Sequence, residues 1–275
     1  MPLQAGRAMK SCLCIAMYFV TIGLWVGVAR SAELPAMRPS LRITVVYNNL
    51  TYARNLVSAW GFAAVVETDN GTLLFDTGGD GPTLMGNLRR LGIDPAAIDA
   101  VVLSHSHGDH TGGLDDFLAR HANVTVYLPR SFPISFRHMV EQYGGHVKTV
   151  SEPQCLFGNF HSTGEMGNAI KEQALIIDTG QGSVIVTGCA HPGIVEIVQT
   201  ARKYLNKKVH LLMGGFHLQG VSASKLRTTV QTLWDLGVHR VAPSHCTGDV
   251  ATARFRNRWG SDFIPSGCGA VIEIP

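Results

Sequence analysis

The chain alternates short apolar runs with amphipathic stretches of helical spacing, the pattern of an α/β protein. Leu41 to Tyr47 is a β-branched run that predicts a strand. Phe62 to Glu67 and Thr72 to Phe75 flank Asp69-Asn70-Gly71, a tight-turn signal between two strands. Pro82 to Leu91 has helical spacing, with Gly92 as its stop. Ala100 to Leu103 reads as a buried strand, Gly113 to His121 as a helix and Val124 to Leu128 as a strand. Residues 129–170 hold several glycines and prolines and are expected to be the least regular part, of the kind that covers an active site.

The pattern then restarts. Ala174 to Asp178 and Val184 to Thr187 predict a second hairpin around Gly180-Gln181-Gly182. Ile194 to Leu205 is an amphipathic helix, Val209 to Met213 a strand, and Ser224 to Leu236 a helix stopped by Gly237. Arg240 to Pro243 is a short strand, Asp249 to Trp259 a helix, and Ala270 to Ile274 a last strand. Asn70-Gly71-Thr72-Leu73-Leu74-Phe75 parallels Gln181-Gly182-Ser183-Val184-Ile185-Val186, and each is followed by a helix and a strand ending in histidine. On that register His217 takes the place of His105. The expectation is one domain over residues 41–275, made of two similar β/α halves that meet at one cleft.

Composition supports a large core: 275 residues, 45% hydrophobic and 16% charged. A net charge of +3 gives no case for a nucleic-acid partner, and Arg254, Arg256 and Arg258 read as a solvated helix face. The first 31 residues stand apart. Arg7 and Lys10 precede an apolar run from Cys12 to Val28, and Ala29-Arg30-Ser31 follows, which is the pattern of a secretory signal, with 32–40 as linker. Left uncleaved, the run would be a membrane anchor near the lower length limit. Either way the domain is expected outside the cytoplasm, periplasmic or secreted. Of six cysteines, four lie beyond this segment. Cys189 and Cys246 neighbour ligand-type histidines and are expected reduced, which leaves Cys155 and Cys268 as a candidate disulfide.

The chemistry concentrates in His105-Ser106-His107-Gly108-Asp109-His110, at the end of a predicted strand and before a predicted helix. Imidazoles at i and i+2 can converge on one ion, while Asp109 and His110 project toward a second. Neutral imidazole and carboxylate suit zinc, and also iron or manganese. With Leu74-Phe75-Asp76-Thr77-Gly78 ahead of it, this segment resembles the metallo-β-lactamase superfamily. Gly188-Cys189-Ala190-His191-Pro192-Gly193-Ile194, Gly214-Gly215-Phe216-His217-Leu218 and Pro243-Ser244-His245-Cys246-Thr247-Gly248 resemble its branch named after a dihydropterin-type phosphate synthase.

The resemblance implies a four-layer αβ/βα sandwich with a site for two divalent ions at the sheet edges. It implies metal-ligand roles for His105, His107, Asp109, His110 and His245, and a further role for Asp109 in orienting the attacking water. Cys189 stands where the superfamily usually has a bridging aspartate, and a thiolate there can ligate or bridge zinc. The third-motif ligand is open between His161, Glu165 and His191, with His191 preferred for its place in the Gly-Cys-x-His-x-Gly pattern. His217 sits where tRNase Z relatives carry a general acid, which makes it a proton donor, a substrate contact or a supporting histidine. Asp76 is expected to orient a ligand rather than to react.

The reading that follows is an exported hydrolase with two metal ions, zinc before iron or manganese, acting on a small molecule: a phosphoester first, then a lactone or thioester, then a β-lactam. A pterin or C1-pathway transferase is the alternative that the branch suggests, and a non-catalytic metal-binding protein is the third. Export opposes the transferase, because folate-like intermediates are cytoplasmic. Expressed from its whole reading frame and recovered outside the cytoplasm, the protein is expected to begin between residues 30 and 33 by N-terminal sequencing. A start at Met1 would contradict cleavage.

Overall fold

The computed structural model describes residues 40–275, so the expected signal segment and nearly all of the linker lie outside the described residues. Two mixed sheets face each other. The first holds β1 (Leu41–Tyr47), β2 (Ala63–Thr68), β3 (Gly71–Phe75), β4 (Ala100–Val102), β5 (Thr125–Pro129), β6 (His146–Val150) and β13 (Val271–Ile274), in the order β13-β1-β2-β3-β4-β5-β6. The second holds β7 (Gln154–Phe157), β8 (Phe160–Ser162), β9 (Leu175–Thr179), β10 (Gly182–Thr187), β11 (Val209–Gly215) and β12 (Arg240–Ser244), in the order β12-β11-β10-β9-β8-β7. The helices are α1 (Gly81–Arg90), α2 (Gly108–Thr111), α3 (Leu114–Leu118), α4 (Ile134–Gln142), α5 (Ile194–Leu205), α6 (Ala223–Asp235) and α7 (Asp249–Trp259).

Strand alternation builds the layers. Leu73 and Phe75 of β3 point into the core between the sheets, where they meet Val184, Val186, Leu211 and Met213 of the second sheet. Leu74 and Val101 point the other way, under Leu84 of α1, Phe117 of α3 and Val140 of α4. Ile185 and Leu212 point under Ile197 of α5, Leu233 of α6 and Phe255 of α7. These three apolar layers between four layers of elements are the expected αβ/βα sandwich. The internal parallel holds as well. Hairpin β2–β3 leads to the parallel pair β3–β4, and hairpin β9–β10 leads to the parallel pair β10–β11.

Three expectations need correction. Residues 129–162 are more regular than expected, forming α4, β6, β7 and β8, while 163–170 are irregular and line the cleft beside His191 and His217. Sheet-edge strands escape a period-2 reading because one has little to bury, and His146-Val147-Lys148-Thr149-Val150 has only Val150 fully buried. The helix expected over 113–121 is shorter, α3 over Leu114–Leu118, and a separate single turn, α2, precedes it across Gly112 and Gly113. The Cys155–Cys268 disulfide is absent: all four described cysteines are free thiols. Cys155 is exposed on β7, whereas Cys268 is buried and donates to the Val46 carbonyl at 3.2 Å.

Strands β3, β4, β10, β11 and β12 all end at the same edge, and their following residues are Asp76, Ser104 with His105, Cys189, His217 and His245. Open α/β sheets present ligand sites at the carboxyl ends of their strands. Four of these turns hold a non-glycine residue at positive φ: Asp76 at +55°, Ala190 at +61°, His217 at +48° and His245 at +52°. Such backbone costs about 1–3 kcal/mol per residue and persists where surrounding contacts impose it. Leu211→Ala, in the middle of the inter-sheet core, is expected to lower stability by about 2–5 kcal/mol, seen as a lower denaturant midpoint at unchanged slope. A midpoint equal to wild type would mean that this core does not hold the sheets together.

Candidate metal centre

Three groups of donor atoms meet at this edge. His105, His107 and His191 form the first, and their rings lie 4.6–4.9 Å apart in edge-to-face pairs. Asp109, His110, Cys189 and His245 form the second, with the Cys189 sulfur 3.3 Å from His110 Nε2 and His245 Nε2 3.3 Å from Asp109 Oδ2. Cys189, His217 and Cys246 form the third. Within each group all donor atoms lie within 4.8 Å of one another.

What aims these rings is a set of oxygen atoms behind them. His110 Nδ1 donates to Asp76 Oδ2 at 2.7 Å, His191 Nδ1 to Glu172 Oε2 at 2.8 Å and His245 Nδ1 to Asn49 Oδ1 at 3.0 Å. The Ser104 hydroxyl gives its one proton to Asp76 at 2.7 Å, so it can only accept from His105 Nδ1, 2.9 Å away. Each ring is thereby held in the tautomer that bares Nε2 toward the cavity. His105 Nε2 and His245 Nε2 are buried with no hydrogen-bond partner among the described residues. An unpartnered buried lone pair is costly unless a cation faces it. The donor set thus fits divalent metal ions.

Charge tells the same story. Burial pushes Asp76 up to about 8 against the pull of His105 and Ser104, and burial with the neighbouring His245 pushes His110 down to about 4. Burial, with His110 alongside, takes His105 down to about 3. Without a cation in front, these groups drift toward their neutral forms. Glu172 behaves differently. Burial would raise it, but hydrogen bonds from the His191 ring and backbone, from Ala190 N and the nearby His105 outweigh this and hold it at about 2. Its Oε1 accepts from Cys189 N at 3.0 Å and Ala190 N at 2.8 Å, and its Oε2 from His191 N at 2.9 Å. One carboxylate therefore shapes the whole turn that carries Cys189 and His191.

Every metal-site residue named from sequence lies at this edge, His191 in the first group and Cys189 in the second. The Cys189 sulfur groups with Asp109, His110 and His245, and again with His217 and Cys246. His161 and Glu165 join no group. His161 contacts the Tyr204 hydroxyl at 3.3 Å, and Glu165 caps Ser131 N at 2.7 Å. Sequence reasoning missed Glu172, Asn49, Cys246 as a site atom, and Trp60. The Trp60 indole N–H donates to Asp109 Oδ2 at 2.9 Å, and its ring lies 5.0 Å from that of His245. Burial would raise the Asp109 carboxyl, but the neighbouring His245 and His110 outweigh it and hold it well below the usual range.

Residues 61–245 match the family described as the metallo-beta-lactamase superfamily. The chain belongs to this superfamily. Among its relatives is the 7,8-dihydropterin-6-methyl-4-(beta-D-ribofuranosyl)-aminobenzene-5'-phosphate synthase of Methanocaldococcus jannaschii, 28% identical over 79% of this chain and 90% of that protein. The crystal structure of Tm1679, titled a metal-dependent hydrolase of the beta-lactamase superfamily, has a TM-score of 0.73 at 26% identity, covering 85% of this chain and 99% of that one. A diphosphatase from the PhnP family shares the fold, with a TM-score of 0.59 at 18% identity over 85% of this chain and 97% of that one. Superfamily membership and the donor groups together imply divalent metal ions.

Because the Glu172 carboxylate is held below its ordinary value, it stabilises the fold above the ordinary carboxylate pKa of about 4.3 and loses that effect as pH falls toward about 2. Glu172→Gln puts an amide NH₂ against backbone donors. It is expected to lower stability at neutral pH and to flatten the loss of stability between about pH 4.3 and 2, in denaturant titrations of metal-free protein. An acid limb as steep as wild type would contradict the buried ionised state.

Proposed function

We propose that this protein is a hydrolase working with two divalent ions, zinc first, on a small ester-type substrate outside the cytoplasm. The observation that carries the reading is the set of bare Nε2 atoms, each backed by an oxygen on Nδ1 and turned into one volume beside Asp109. His105, His107 and His191 would hold one ion, and Asp109, His110, Cys189 and His245 the other. Bound there, the ions would supply Lewis acidity, making a water acidic at neutral pH and drawing charge from a leaving oxygen.

The chain's own groups supply the rest. Asp109, ionised and held by the Trp60 indole N–H, orients the attacking water by accepting one of its hydrogens. His217 is exposed on the opposite wall, and hydrogen bonding to Cys246 raises its pKa despite partial burial, so it keeps a proton to give to the leaving group. Substrate has two approaches. One cleft of about 680 Å³ is lined by His191 and His217 with Glu152, Glu165 and Glu196, and the other, of about 280 Å³, by Trp60 and His245 with Arg256 and Asp249. An anionic part, such as a phosphoester, fits the Arg256 side. A polar or cationic part fits the acidic side.

The kinship with a dihydropterin-type phosphate synthase supports a second reading, a transferase on a pterin-type substrate. Among the described residues no helix is long and apolar enough to cross a membrane. The proposed address therefore rests on the N-terminal segment.

Zinc-reconstituted protein is expected to bind at least two ions by elemental analysis and to hydrolyse one class in a panel of phosphodiesters, lactones and thioesters. His107→Ala and Asp109→Ala are each expected to lose about two orders of magnitude in turnover, and an ion with it. Turnover at a double-digit percentage of wild type in either variant would place the chemistry elsewhere. Full metal content with no hydrolysis, but group transfer to a pterin-type acceptor, would favour the second reading.

A further inference from the structure

Of the third donor group, Cys246 and His217 are used by neither ion. Cys246 follows His245 in a single 3₁₀ turn, and its sulfur lies 3.6 Å from the Cys189 carbonyl oxygen. Space for it is kept by Gly215, where an added Cβ would stand 2.7 Å from that sulfur. Both thiols are free and nearly fully buried, Cys189 at 3% and Cys246 at 5% exposure. His217 closes the group from the solvent side, on strained backbone at φ +48°. Two sulfurs and an imidazole within 4.8 Å of one another make a donor set that selects thiophilic ions of the zinc class over calcium or magnesium.

We propose that Cys189, Cys246 and His217 form a further ion site for a thiophilic divalent cation, joined to the second metal group through the Cys189 sulfur. The inference rests on the metal reading above and extends it. Its consequence is inhibitory. An ion held here binds a ring nitrogen of His217 in exchange for a proton released to solvent, so that nitrogen no longer faces a leaving group with a proton to give. The same histidine is therefore a proton donor when the site is empty and a ligand when it is filled.

Cobalt titration of the metal-free protein tests the site through the thiolate-to-cobalt charge-transfer band. Wild type is expected to show the band of two thiolates, and Cys246→Ser to fall to about half of it. A band unchanged in Cys246→Ser overturns the inference while leaving Cys189 as a ligand. No band in either protein overturns it together with the Cys189 assignment, and leaves the histidine groups to be judged by ion count. A second measurement does not depend on the variant folding: alkylation of wild type with and without zinc, mapped by mass spectrometry. Cys246 is expected to label only without zinc, with exposed Cys155 labelling in both states. Equal labelling of Cys246 in the two states overturns the inference.

Discussion

The site depends on one constraint: histidines clustered in a buried volume must have every proton assigned. Asp76, Ser104, Glu172 and Asn49 each take an Nδ1–H, and this fixes which nitrogen of each ring is bare. Remove an oxygen and its ring can flip or change tautomer, at which point the bare lone pairs no longer share a volume. Asp76 is the hub, since it accepts from Ser104 N, Ser104 Oγ and His110 at once. Gly188 leaves room for that hub, because a Cβ there would run into the Ser104 hydroxyl and approach Asp76 Oδ2 at 3.0 Å.

The fold delivers these groups by repetition. Each half contributes a hairpin, a helix and parallel strands, and the strand ends from both halves open onto one edge. Positive φ angles at Asp76, Ala190, His217 and His245 turn the chain sharply just where it leaves the sheets. Three apolar layers hold that edge in register, so local strain is borne by packing elsewhere.

Much of this was legible in sequence because it is local. The His105–His110 segment carries donors at fixed spacing after an apolar strand, and the hairpins announce themselves by Asn-Gly and Gly-Gln-Gly. Strand runs alternating with helical ones announced an α/β domain of two similar halves, and the resemblance to the superfamily implied the four-layer sandwich. What stayed hidden is long-range. Glu172 precedes a strand with no motif around it and acts on a turn 17 to 19 residues away. Asn49 reaches a histidine 196 positions later. Cys246 gains meaning only when β12 lies beside β11 and its sulfur meets Cys189. The edge strands of 146–162 lacked the alternation that burial on one face imposes. The Cys155–Cys268 pairing failed because elimination among cysteines says nothing of which layer each occupies.

Anomalous diffraction at the zinc edge from crystals of the zinc-loaded protein tests the central claim most directly. The account predicts one peak among His105, His107 and His191 and another among Asp109, His110, Cys189 and His245, with Nε2 facing the ion at His105, His110, His191 and His245. Peaks elsewhere, or rings turned with Nδ1 toward the ions, would contradict it.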